Sequence, residues 1–234
     1  MGGRKIQFVE NHFYHVYNRG VDKRNIFLDD FNYIRFLESL RDFNDVEIVG
    51  SLYLKSIREK RFRSKAPKKA SEKQKRPLVR ILCYCLMTNH FHLLLEQLEE
   101  RGITEFMHRL GTGYTNFFNL KYERTGRLFE GPFQAVLIEQ DNQLNHILRY
   151  IHLNPLDILE PGWRENGIKD LERVEKFLEN YRWSNHLAYL SERESQIINK
   201  GIFDELFKDK TDYQNFLRDW VVKDLSYLKN LILE

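Results

Sequence analysis

Residues 78–96 read LVRILCYCLM-TN-HFHLLLE, two apolar runs on either side of a short polar step at Thr88-Asn89. Runs of this length rich in Ile, Leu, Cys and Tyr predict strands, and the tight connection predicts an antiparallel hairpin. Alternation in the second strand puts His90, His92 and Leu94 on one face and Phe91, Leu93 and Leu95 on the other. Two imidazoles two residues apart can converge on one cation. Apolar neighbours on both sides place them at core depth, where they need partners or a metal. Cys83 and Cys85 share a strand face by the same rule. Two cysteines cannot build a disulfide framework, and a reduced, cytoplasmic compartment is expected.

Outward from the hairpin, HFYHVYN (12–18) is aromatic and β-branched, ends at Gly20, and predicts a strand. Asp29 or Asp30 caps a helix whose apolar residues are Phe31, Ile34, Phe36, Leu37 and Leu40. Glu47–Leu54 suggests a further short strand. After the hairpin, Ile103, Phe106, Met107, Leu110, Tyr114, Phe117 and Phe118 mark a helix of about 20 residues at 3.6-residue spacing, with Gly126 beyond its end. Tyr114 is centred on that stripe and reads as core. Pro132–Gln140 predicts a strand. Asp141 is expected to cap a helix with the stripe Leu144, Ile147, Leu148 and Ile151, which Pro155 ends. The order strand, helix, strand, strand, helix, strand is the split βαβ of ferredoxin-like domains. The predicted fold is α+β: a ferredoxin-like antiparallel sheet with packed helices, an extra helix bearing Tyr150, and a C-terminal helical appendage. The division expected is a catalytic domain over 1–160 and the appendage over 161–234, with helical spacing near Ile168–Asn180 and Phe203–Leu233.

The 234 residues are 42% hydrophobic and 30% charged, which excludes wholesale disorder. No uncharged apolar run is long enough for a membrane span, and Met1–Glu10 has no signal-peptide core. Between Lys55 and Arg76 lie eleven Lys/Arg and two acids, Glu59 and Glu72, so a net charge of only +3 conceals one strongly basic loop, about 55–77. It is either a phosphate-binding arm or a solubilising insertion.

A metal held by two histidines invites a search for a reactive group, and a tyrosine phenol attacks phosphorus well when geometry is fixed. Tyrosine with Asn four residues on occurs at Tyr14/Asn18, Tyr150/Asn154 and Tyr181/Asn185. Tyr14/Asn18 falls in a strand and Tyr181/Asn185 straddles a helix end. Tyr150 and Asn154 lie on one helix, about 40° apart. They are expected at the border of the stripe, free to face the sheet. A docking tyrosine and a helix-ending asparagine are the plainer reading of the same pair.

In these residues the chain resembles the single-tyrosine HUH transposases, in particular the REP-associated, IS200-like branch. The likeness runs from Phe13 to Pro155 and rests on HVYNRGVDKRNIF, YCLMTNHFHLLL, RTGRLFEGPF and LRYIHLNP in that order, with YRWSNH further on. It implies a DNA endonuclease and strand transferase acting on single-stranded DNA with hairpins. His90, His92 and Asn154 are then the metal ligands for Mg²⁺ or Mn²⁺, and Tyr150 is the nucleophile that forms a 5′-phosphotyrosine. Relatives act as monomers or as homodimers that exchange the tyrosine helix, and both states stay open. The basic loop is longer than the family pattern, and Phe129 stands where relatives carry tryptophan. The competing reading is a non-catalytic ferredoxin-like nucleic-acid-binding module, whose sheet should display aromatics rather than histidines.

Overall fold

A computed structural model describes residues 6–47, 76–168, 170–190 and 195–221. Strands β1 (Phe13–Arg19), β2 (Val79–Leu86), β3 (His90–Gln97) and β4 (Gln134–Ile138) form one sheet in the order β2-β3-β1-β4, every neighbouring pair antiparallel. With α1 (Asp30–Asp42) between β1 and β2 and α2 (Gly102–Lys121) between β3 and β4, this is the ferredoxin-like arrangement. The expected strand at Glu47–Leu54 and most of the basic loop lie outside the described residues.

Period-two alternation divides the core in two. Phe91, Leu93 and Leu95 of β3 pack with Phe36 and Leu40 of α1 and with Phe106, Leu110 and Tyr114 of α2. Leu94, Cys83 and Cys85 face the other way, against the helix α3 (Asp141–Leu153) and the helices that follow it. A register shift between Ile81 and Cys83 puts Leu82 and Cys83 on that same face.

Two details differ from expectation. Phe31 and Ile34 are exposed, because Tyr33, Phe36 and Leu40 define the docked face of α1. Phe31 instead lies tilted against Phe117 under the Lys121 ammonium. The cap of α3 is Gln140, not Asp141: Gln140 and Gln143 form a reciprocal capping box, leaving Asp141 in the first turn. Gly20 follows β1 because a Cβ there would stand 2.2 Å from the Arg24 carbonyl oxygen, where the chain doubles back.

Downstream of α3 come short helices α4 (Leu156–Leu159) and α5 (Trp163–Asn166), then α6 (Leu171–Asn180), α7 (His186–Leu190), α8 (Phe203–Leu206) and α9 (Lys210–Val221). Trp163, Val174, Leu178, Tyr189, Phe203 and Tyr213 join the same cluster as Leu144, Leu148 and Ile151. The YRWSNH segment seals the outer edge of β2. Trp183 O accepts from Leu86 N, Tyr84 N donates to Asn185 Oδ1, and the Tyr181 hydroxyl donates to Leu86 O. Tyr181 and Asn185 therefore have structural work to do.

A buried polar chain ties α3 to α7 and α9. His152 Nε2 donates to Asn185 Oδ1 at 3.2 Å, so its Nδ1 accepts from the Tyr213 hydroxyl at 2.8 Å, which in turn accepts from His186 Nδ1 at 2.8 Å. Burial holds His152 down to about 3 and His186 to about 4, against 6.5 for a free imidazole. Below pH 6.5 the unfolded chain binds protons that the folded chain refuses, so stability falls as pH drops. Each histidine should cost about 2 kcal/mol at about pH 5. Urea unfolding should show a clearly lower midpoint at about pH 5 than at about pH 7.5; a constant midpoint would mean the imidazoles are not held neutral.

Candidate active site

His90 and His92 project from β3 toward α3, their rings 5.0 Å apart and nearly perpendicular. On α3, Tyr150 and the C-capping Asn154 share one helix face, as the four-residue spacing requires. Helix and strand meet so that the Tyr150 ring lies 5.2 Å from the His92 ring, edge to face, and His90 Nε2 lies 3.3 Å from Asn154 Oδ1. Four residues separated by up to 64 positions are thus brought to one place within a single chain. Tyr150 and Asn154 face the sheet and are 3% and 0% exposed, because the downstream helices also cover α3 from outside.

Each imidazole is oriented by its other nitrogen. Asn89 Nδ2 donates to Lys23 O, which turns Asn89 Oδ1 toward His90 Nδ1 at 2.6 Å. A neutral His90 donating there presents a lone pair at Nε2. His92 Nδ1 is 2.9 Å from His15 Nε2. With His92 as donor its Nε2 is likewise free to ligate, and the proton of His15 sits on Nδ1. Burial lowers His15 to about 3. Burial first, then the nearby His15, His90 and Arg164, hold His92 well below the usual imidazole range. His15 and His92 are therefore neutral, and a neutral imidazole is the form that binds cations.

His15 was missed in sequence; it lies 77 residues before His92, and only the β1–β3 pairing brings it there. The HVYN motif was the one available signal. Arg164 was missed too. Its guanidinium carbon stands 5.3 Å from the centre of the Tyr150 ring.

The donor set suits a divalent cation. Cis ligands on a six-coordinate ion with bonds near 2.1 Å sit about 3 Å apart, and His90 Nε2 and Asn154 Oδ1 are 3.3 Å apart. The Asn154 amide nitrogen is buried without a hydrogen-bond partner, while its oxygen faces His90 Nε2. Among the described residues no group of three His, Cys, Asp or Glu has metal-holding geometry, and the candidate trio takes its oxygen from an amide.

Of the solved structures, one that is similar is a REP-associated tyrosine transposase bound to a REP hairpin, 12% identical, covering 85% of this chain and 94% of that one at a TM-score of 0.45. Another is the tRNA(His) guanylyltransferase of Saccharomyces cerevisiae, 11% identical, covering 83% and 81% at 0.36. No curated protein matches by sequence. The family model described as "Transposase IS200 like" matches residues 48–154, a stretch that holds both histidines and the tyrosine and ends on Asn154 itself. Over those residues the chain is similar to the IS200-like transposases.

Proposed function

We propose that this chain is a transposase that cuts and rejoins single-stranded DNA through a 5′-phosphotyrosine on Tyr150, at a divalent-cation site made by His90, His92 and Asn154. The observation that carries the reading is the convergence, within one chain, of a tyrosine ring 5.2 Å from one histidine and of a His90–Asn154 pair at ligand spacing. In this reading Tyr150 serves the histidines of its own subunit, and one chain makes the first cut. A homodimer would be needed only to bring two DNA ends together. The substrate implied by the family resemblance is a single strand with a foldback hairpin.

In the first step the Tyr150 phenol oxygen bonds to phosphorus, the bond from phosphorus to the 3′-oxygen breaks, and the phenolic proton is transferred to solvent while the 3′-oxygen leaves as a hydroxyl. A later 3′-hydroxyl reverses the exchange and joins strands. One phosphoester replaces another at each stage, so no nucleotide cofactor is consumed. Bound Mg²⁺ or Mn²⁺ would draw charge from the non-bridging phosphate oxygens. His90, His92 and Asn154 would hold that ion without cancelling its charge, since neutral imidazoles and an amide bring no negative charge. Two nitrogen ligands favour Mn²⁺ over Mg²⁺.

A base-stacking module without chemistry would need an open sheet face, yet helices cover both faces here. Incubation with labelled hairpin-bearing oligonucleotides and Mn²⁺ should yield a protein–DNA band that survives denaturing electrophoresis. Binding with no such band across a range of oligonucleotides would favour the non-catalytic module.

A further inference from the structure

Seven buried side-chain atoms among the described residues find no hydrogen-bond partner, and three of them belong to residues around the Tyr150 ring: His15 Nδ1, Asn154 Nδ2 and Arg164 Nη2. All three are donors, given the tautomer of His15 argued above. Buried donors are rarely left unpaired, so such a cluster points to a missing acceptor. A group that offers several acceptors and also tolerates a guanidinium is an oxyanion, and for a transposase that is a DNA phosphate.

Arg164 is the member whose charge fits this role, and it is built in firmly. Gly162, at φ +82°, turns the chain into the short helix that carries it. Asp157 Oδ1 accepts from Trp163 Nε1 at 2.8 Å and also from Arg164 Nη1. The Trp163 ring lies 5.0 Å from the same guanidinium. One arm of the fork is thus committed to Asp157, while the other, Nη2, is left without an acceptor beside the tyrosine. The side chain as a whole keeps 24% of its surface exposed, so part of it reaches solvent while Nη2 stays buried.

We infer that Arg164 binds a phosphate of the DNA strand held at Tyr150, with Nη2 donating to a non-bridging oxygen. The assignment rests on the tyrosine-transposase reading above. It gives this chain a fixed cation at the reacting end of the strand, 5.3 Å from the centre of the tyrosine ring. The bland alternative is that Arg164 only braces the tyrosine helix through Asp157 and the ring.

The two roles separate in a binding cycle. In a Tyr150→Phe background, which cannot cleave, the full chain is titrated with fluorescent hairpin oligonucleotides. One set is unmodified, and another carries a single uncharged methylphosphonate at successive positions around the cut. One position should weaken binding by about ten- to hundred-fold, the span expected for a hydrogen bond to a charged group. Adding Arg164→Gln should weaken binding of the unmodified strand by a similar factor and abolish the penalty at that position alone. Arg164→Lys should restore part of it. An identical penalty profile with and without Arg164→Gln would overturn the assignment and leave the brace. Should Arg164→Gln melt early, Arg164→Lys answers the same question, because a point charge lacking the planar fork should shrink that one penalty and no other. A chain with Tyr150 intact that neither binds these strands nor forms an adduct would instead defeat the transposase chemistry, and this assignment with it.

Discussion

Tyr150→Phe should bind hairpin-bearing single strands as tightly as the parent and form no covalent adduct at all. The substitution deletes one oxygen and keeps the ring, so the edge-to-face contacts with His92 and His15 persist. Stability should change by no more than about 1.5 kcal/mol, the scale of one hydrogen bond. The cut itself should slow by a factor on the order of 10⁴ or more, as happens when an enzyme loses its nucleophile while its other groups stay in place. The tempting substitute is Tyr17, whose ring is also near His92, at 5.7 Å. Tyr17 sits on β1 beside the histidines, and nothing pairs it with a ligand residue as the helix pairs Tyr150 with Asn154. Mass spectrometry of the adduct decides between them. Adduct formed by the Tyr150→Phe protein, or parent adduct mapped to another tyrosine, would remove Tyr150 from its role.

How much of this was legible in the sequence depends on whether a residue's neighbours are near in the chain. His90 and His92 could be assigned to one face because strand alternation is a local rule, and Phe91 duly faces the opposite core. Tyr150 and Asn154 could be paired because helical periodicity is local as well. Their burial was not legible. It depends on Trp163, Leu178 and Tyr213, which arrive from the C-terminal segment and close over α3. The orienting contact from His15 crosses 77 residues, and Arg164 reaches the ring from a four-residue helix with no periodic pattern to reveal it. Asp141 misled for a related reason. An acidic residue suits both the cap and the first turn of a helix, and only the reciprocal Gln140–Gln143 bonds show which position it takes.

His90→Ala and His92→Ala should both abolish cleavage and Mn²⁺-induced stabilisation, yet differ in the metal-free protein, and that difference is the sharper test of the site. Metal at about a hundred times its dissociation constant should stabilise the parent by about 2.7 kcal/mol. Either alanine removes a ligand and should erase most of that shift. His90 is half-buried, and its Nδ1 partner Asn89 is near the surface, so its loss should cost the metal-free fold about 1 kcal/mol or less. His92 is 6% exposed, and its removal opens a cavity beside Tyr150 and strips His15 Nε2 of its partner. That should cost roughly 2–4 kcal/mol from cavity and lost hydrogen bond together. Thermal unfolding with and without Mn²⁺ therefore gives a two-part signature: the same missing metal shift in both variants, and a lower metal-free midpoint only in His92→Ala. If the metal shift survived in both, the cation would have to bind elsewhere. If the two metal-free midpoints coincided, the His15–His92 contact would contribute nothing to the fold, and the argument that His15 fixes the ligating nitrogen of His92 would fail with it.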